Sequence, residues 1–168
     1  MAIRNSPICG RVCKRSSSEK WPGLSTTSPS LQTSGSPWTI EATIRATEDG
    51  VILARGGQTL GYLLAIQQGQ PLFVYRAGEQ LTTLRGKDDV RNQWVTVTAT
   101  VSADRRASLA VDGQIVAHGT VPRLIPRDPN DGMQVGADLA SPVVEPRVPA
   151  FHGQMERLRL WRGVQGSD

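Results

Sequence analysis

The stretch ASLAVDGQIVAHG (107–119) places Leu109 and Val111 before, and Ile115 and Ala117 after, the pair Asp112-Gly113. Asp-Gly between two alternating runs is a strong short-range hairpin signal, because a type I′ turn needs positive φ at both central residues. The same stretch holds an aspartate and a histidine, residue types from which a reactive site could be assembled. The hairpin reading assigns Asp112 to the turn and His118 to a strand end instead. Immediately upstream, QWVTVTATVS (93–102) alternates Val95, Val97, Ala99 and Val101 against Thr96, Thr98, Thr100 and Ser102. That is the period of a strand buried on one face, built from residues of high β propensity.

Outward from this hairpin the period of two persists. PWTIEATIRA (37–46) puts Trp38, Ile40, Ala42, Ile44 and Ala46 on one face and Thr39, Glu41, Thr43 and Arg45 on the other. GVILA (50–54) follows the turn residues Glu48-Asp49-Gly50. GYLLAIQQGQPLFVYR (61–76) reads as two strands joined at Gln68-Gly69-Gln70, EQLTTL (79–84) adds another, and GMQVGAD (132–138) and FHGQMERLRLW (151–161) supply two more. No helical period competes with them. Many short strands separated by turns predict an all-β fold, an antiparallel two-sheet β-sandwich of jelly-roll type. An immunoglobulin-like sandwich lacks its Cys…Trp…Cys arrangement here.

The chain has 168 residues, enough for one domain, and a formal net charge of +4. Residues 1–37 hold five basic groups (Arg4, Arg11, Lys14, Arg15, Lys20) and Glu19, whereas residues 38–168 hold fourteen of each sign. The excess positive charge belongs to the first segment, so nucleic-acid binding by the folded part loses its electrostatic basis. Ser, Thr, Pro and Gly dominate residues 1–37, which read as a disordered basic arm or linker, with 38–163 as the domain and 164–168 as a tail. Cys9 and Cys13 lie in the arm; as a C-x3-C pair without further ligands they cannot complete a zinc site. No run is long and apolar enough to span a membrane, and the start, MAIRNSPICGRVCKR, shows no signal peptide.

In order, WTIEATI, GVILARGG, GYLLAIQQGQPLFVYR, SLAVDGQIVAHG, MQVGADLASPV and FHGQMERLRL resemble the laminin G-like jelly roll of the concanavalin A-like lectin/glucanase superfamily. More closely, they are similar to the small C-terminal domain of some bacterial sulfatases, with its LYVDGK hairpin, VGxDxGxPV loop and closing FxGxIxxVxI strand. The resemblance implies a non-catalytic binding or accessory module in an extracytoplasmic setting, recognising a polysaccharide, a sulfated one included. It equally implies a structural module that packs against a sulfatase or other hydrolase domain, or the C-terminal fragment of such an enzyme.

The residues offer no catalytic machinery. Neither cysteine opens a Cys-x-Pro-Ser-Arg-like sulfatase motif, and no strand carries the spaced carboxylate pair of a glycosidase. Glu48-Asp49 and Asp88-Asp89 read as turn residues, His118 and His152 as strand-end or surface residues. RDPNDGMQVGAD (127–138) gathers Asp128, Asn130, Asp131 and Asp138, oxygen donors that suit calcium and equally suit ordinary turn hydrogen bonding. Asp138 leads that set because it matches the acidic position of the family's VGxD phrase. No other cofactor is expected. For a glycan, Tyr62, Tyr75 and Trp161 are candidate stacking platforms, and Arg76 a candidate grip for sulfate or carboxylate.

Overall fold

The computed structural model describes residues 33–164. Ten strands follow one another: β1 (Trp38–Ala46), β2 (Gly50–Gly56), β3 (Leu60–Gln67), β4 (Gln70–Ala77), β5 (Gln80–Arg85), β6 (Val95–Val101), β7 (Arg106–Val111), β8 (Gln114–Thr120), β9 (Met133–Val135) and β10 (Gly153–Arg162). They form two five-stranded antiparallel sheets, β10-β1-β6-β7-β8 and β5-β4-β3-β2-β9. The sandwich expected from the alternating pattern is therefore the fold observed. Among the described residues there is no helix.

The hairpins form where the turn chemistry placed them. Asp112 and Gly113 take φ of 50° and 80°, and Gln68 and Gly69 take 56° and 77°, the left-handed pairs that join β7 to β8 and β3 to β4. Asp112 also accepts a hydrogen bond from the Thr96 N–H at 2.8 Å, which ties the turn to β6. One detail departs from simple alternation. A bulge between Leu109 and Ala110 shifts the β7–β8 register, and Ile115 ends 66% exposed.

Between the sheets lies the core. Ile40, Ala42 and Ile44 of β1, Val97 and Ala99 of β6 and Leu109 of β7 meet Leu64, Ile66 and Phe73 of the other sheet. A bulge after Val51 turns both Ile52 and Leu53 toward this core. Trp38 anchors an aromatic group, its ring centroid 4.5 Å from that of Tyr62, 5.8 Å from Phe73 and 6.4 Å from Tyr75. Each such ring pair contributes about 0.5–1.5 kcal/mol beyond area burial.

The outer faces of the two sheets differ. Over β2, β3 and β4, the segment 139–150 crosses as a strap, and its Val143 and Val148 close a second apolar cluster with Val51, Ala54, Leu63, Ala65, Leu72 and Val74. The strap is anchored at several points. The Val51 N–H donates to the Pro149 carbonyl at 2.9 Å, the Arg76 Nε to the Val143 carbonyl at 2.9 Å, and the Arg147 guanidinium to the carbonyls of Asp138 and Ala140. Its end runs so close to β2 that a Cβ on Gly50 would stand 2.5 Å from the Phe151 Cα, so only glycine fits there.

The folded unit begins before the boundary expected at residue 38. Thr33 is buried, its N–H donates to Asp128 at 3.3 Å, and the Gly35 N–H donates to the Ile125 carbonyl at 2.8 Å. Residues 33–37 thus belong with the sandwich. The remainder of the expected arm, Cys9 and Cys13 included, and residues 165–168 lie outside the described residues.

Candidate functional site

Two surfaces come into question, a polar cleft on the rim and the outer face of the sheet that no strap covers among the described residues. The cleft, about 240 Å³, is lined by Gln58, Thr59, Arg127, Asp128, Asn130 and Asp131 among others. Three of the four residues considered for calcium, Asp128, Asn130 and Asp131, meet there, and the two carboxylates among them are already engaged. Asp128 pairs with Arg55 at 3.4 Å and accepts the Thr33 N–H; Asp131 accepts the Ser141 N–H at 3.3 Å. Asp138, the fourth, is buried under the strap, where one carboxylate oxygen accepts the Val143 N–H at 3.0 Å. Its other oxygen is buried without a hydrogen-bond partner, and burial raises its pKa above the ordinary carboxylate value. A hard cation needs charged oxygens that converge. Among the described residues no group of three or more His, Cys, Asp or Glu side chains is placed to hold a metal ion. Asp128, Asp131 and Asp138 thus each hold a backbone N–H of a neighbouring segment.

The tyrosines need a correction. Tyr62 and Tyr75, considered as sugar platforms, are 0% and 1% exposed and form part of the aromatic core beside Trp38. They are tolerated inside because their hydroxyls reach partners at the rim. The Tyr75 hydroxyl donates to the Arg123 carbonyl at 3.2 Å and accepts the Ile125 N–H at 2.8 Å, and the Tyr62 hydroxyl lies 3.4 Å from the Thr33 hydroxyl. Burial pushes the Tyr75 phenol up to about 12 and raises that of Tyr62 as well. Arg76 is half-buried and donates its Nε to the Val143 carbonyl of the strap at 2.9 Å. The acidic pairs serve turns: Asp49 accepts the N–H groups of Gln68 and Gly69, and Asp89 is bound by Arg91.

Trp161 is the ligand candidate that the structure leaves on a surface. It is half-buried on the outer face of that sheet, its indole Nε1 buried without a hydrogen-bond partner, and strand register sets it in one transverse row with the buried Thr39 and with Thr100, Ser108 and His118. The next row holds Arg159, Glu41 and Thr98, and the one after it Arg157, Thr43 and Thr96. Neighbouring hydroxyls meet across the strands, Thr43 and Thr96 at 3.0 Å and Thr39 and Thr100 at 3.5 Å. Glu41 lies 3.7 Å from Arg159. Chemically, the face offers hydroxyl donors and acceptors at regular spacing, guanidinium groups along β10 and an indole. These are binding groups; hydrolysis of a glycosidic bond would need two carboxylates flanking one point.

Sequence reasoning passed over Trp94 as a ligand residue. It stands directly before β6, is 45% exposed, and shares the parity of Thr96, Thr98 and Thr100. That parity was the available signal, because Val95 beside it faces the core.

No curated protein sequence matches the chain. Solved structures do. Domains LG4-5 of the mouse laminin α1 chain superpose with a TM-score of 0.65 at 26% identity, covering 77% of this chain and 37% of that one. The chain thus spans just over a third of the length of that laminin fragment. The CBM40 module of the Ruminococcus gnavus IT-sialidase, solved with α2,6-sialyllactose, superposes at a TM-score of 0.71 and 19% identity, covering 95% of this chain and 96% of that one. The same module bound to α2,3-sialyllactose gives 0.70 at 20% identity over the same shares of both chains. A laminin G model described as the concanavalin A-like lectin/glucanases superfamily matches residues 22–167. The chain belongs to the concanavalin A-like lectin/glucanases superfamily, as a laminin G-type β-sandwich.

Proposed function

We propose that the chain is a non-catalytic carbohydrate-binding module that takes an anionic, sulfated polysaccharide on the outer face of its open sheet. The observation that carries this reading is the contrast in cover. The second sheet is sealed by its strap, while among the described residues the first leaves Arg157 exposed and Trp161, Arg159, Thr43, Thr96, Thr98 and Thr100 half-buried on its outer face, with Thr39 buried beneath them. Indole faces stack on sugar rings, and hydroxyls at strand spacing match the hydroxyls of a polymer. Arg157 and Arg159 supply forked donors suited to sulfate or carboxylate, and Arg45 adds a third positive group on the same face. The sialyllactose complexes of the CBM40 neighbour and the likeness of the VDG and VGAD phrases to sulfatase C-terminal domains support a glycan role and a sulfated ligand. An extracytoplasmic setting fits the same role.

The test is equilibrium binding of the full chain to a sulfated glucan and to the uncharged glucan of the same length. The sulfated polymer binds, and more weakly as salt rises, since exposed charges are screened. Trp161→Ala and Arg157→Glu each reduce affinity by about tenfold or more at unchanged melting temperature, and no sugar or sulfate is released. Absence of binding to both polymers, or variants that bind like wild type, rules the reading out.

A further inference from the structure

We infer that the open face is read lengthwise: an extended, linear polysaccharide lies along β1 and β6 with Trp161 at one end of the tract and Trp94 at the other. The module then recognises an internal stretch of several sugar units rather than a chain end. This rests on the glycan reading above and adds its direction, its length and a second platform.

The geometry favours that direction over the crosswise one. Register places Trp161 beside Thr39 and Thr100, and Trp94, the exposed residue that leads into β6, lies six residues before Thr100 in the chain. At about 3.3 Å per strand residue, the two indoles mark the ends of a tract roughly 20 Å long. Between them the face carries charge and hydroxyls, Arg159 with Glu41 and Thr98 in one row, the guanidinium 3.7 Å from the Glu41 carboxylate, and the exposed Arg157 with Thr43 and Thr96 in the next. Arg45 closes the tract near Trp94, its Nε held by the Asn92 carbonyl at 3.2 Å. A crosswise chain would start on Trp161 and end on His118, with no second indole. In the adjacent row it would meet Ala110 and the exposed Ile115, which bind neither hydroxyl nor sulfate. Arg106, the arginine of β7, is held by Asp104 at 2.6 Å.

The experiment measures affinity of the full chain for size-defined sulfated glucan oligosaccharides from disaccharide to octasaccharide, for wild type, Trp94→Ala, Trp94→Phe and His118→Ala. Lengthwise reading gives wild-type affinity that climbs about tenfold or more between disaccharide and hexasaccharide and then levels off. Trp94→Ala removes about tenfold for the hexasaccharide and leaves the disaccharide unchanged; Trp94→Phe, which keeps a ring, recovers most of the loss; His118→Ala is silent. Melting curves confirm that all variants are folded. Affinity already saturated at the disaccharide, a silent Trp94→Ala, or a loss in His118→Ala overturns the lengthwise inference. Binding that still depends on Trp161 in that case leaves the glycan reading standing. A wild-type chain that binds no oligosaccharide of the series overturns both.

Discussion

The two sheets share a core and differ on their outer sides. In β6, and in β1 after the buried run Trp38–Ile40, buried and partly exposed residues alternate, so one face is packed and the other is polar. In β3 and β4 burial is almost continuous, because the 139–150 strap covers the outer side with Val143 and Val148. A sheet sealed on both sides can contribute stability but has no surface for a large ligand. The other sheet is held mainly from within, and among the described residues its outer side carries no second apolar layer.

The comparison breaks first where burial is greatest. Val148→Asp places a charge in the strap cluster, where Val148 is 2% exposed, and should cost about 3 kcal/mol or more in denaturant unfolding. Ser108→Asp, on the open face, should stay within about 0.5 kcal/mol. Equal losses would show that the two faces do not differ in the way described.

A smaller effect sharpens the role of the strap anchor. Asp138→Ala leaves the Val143 N–H without its acceptor and should cost about 1–2 kcal/mol. Asp138→Asn keeps an acceptor and removes the ionisation. Burial raises the native pKa of Asp138 above its ordinary 3.8, so the folded state binds the proton more tightly than the unfolded state. Stability conferred by this group is thus complete at pH values below 3.8 and is lost as pH rises through the higher native value. The difference in unfolding free energy between Asp138→Asn and wild type should accordingly move in favour of the variant across that window. A pH-independent difference would mean that the carboxyl is solvated in the native state.

The smallest effect lies on the open sheet itself. A Cβ on Gly113 meets nothing within 4 Å, so Gly113→Val tests backbone strain alone. With φ at 80° the expected loss is about 1 kcal/mol, read as a shift in unfolding midpoint. A neutral result would show that the turn relaxes to another type.

Much of the sandwich was legible in the chain. The alternation in residues 38–46 and 95–101 and the turn pairs at Gln68-Gly69 and Asp112-Gly113 predicted strands and hairpins that formed as expected. Local steric rules act over a few residues, so they survive any tertiary context. The candidate site was only partly legible. Trp161 stands out among the few aromatics of the folded part, whereas Trp94, another of them, is distinguished only by its parity with the β6 threonines. Tyr62 and Tyr75 were misplaced because a tyrosine in a near-continuous apolar strand can face either side, and its hydroxyl can be satisfied at a sandwich rim.

The sequence by itself determined which segments become strands, where the chain turns, and that one face of β1 and β6 is polar. Which outer face stays open was decided by the tertiary structure. The strap lies more than sixty residues beyond β4 in the chain, and its Val143 and Arg147, with Asp138 beneath it, acquire their roles only when it is laid across the sheet. Burial of that kind depends on contacts between distant segments, and no local period encodes it.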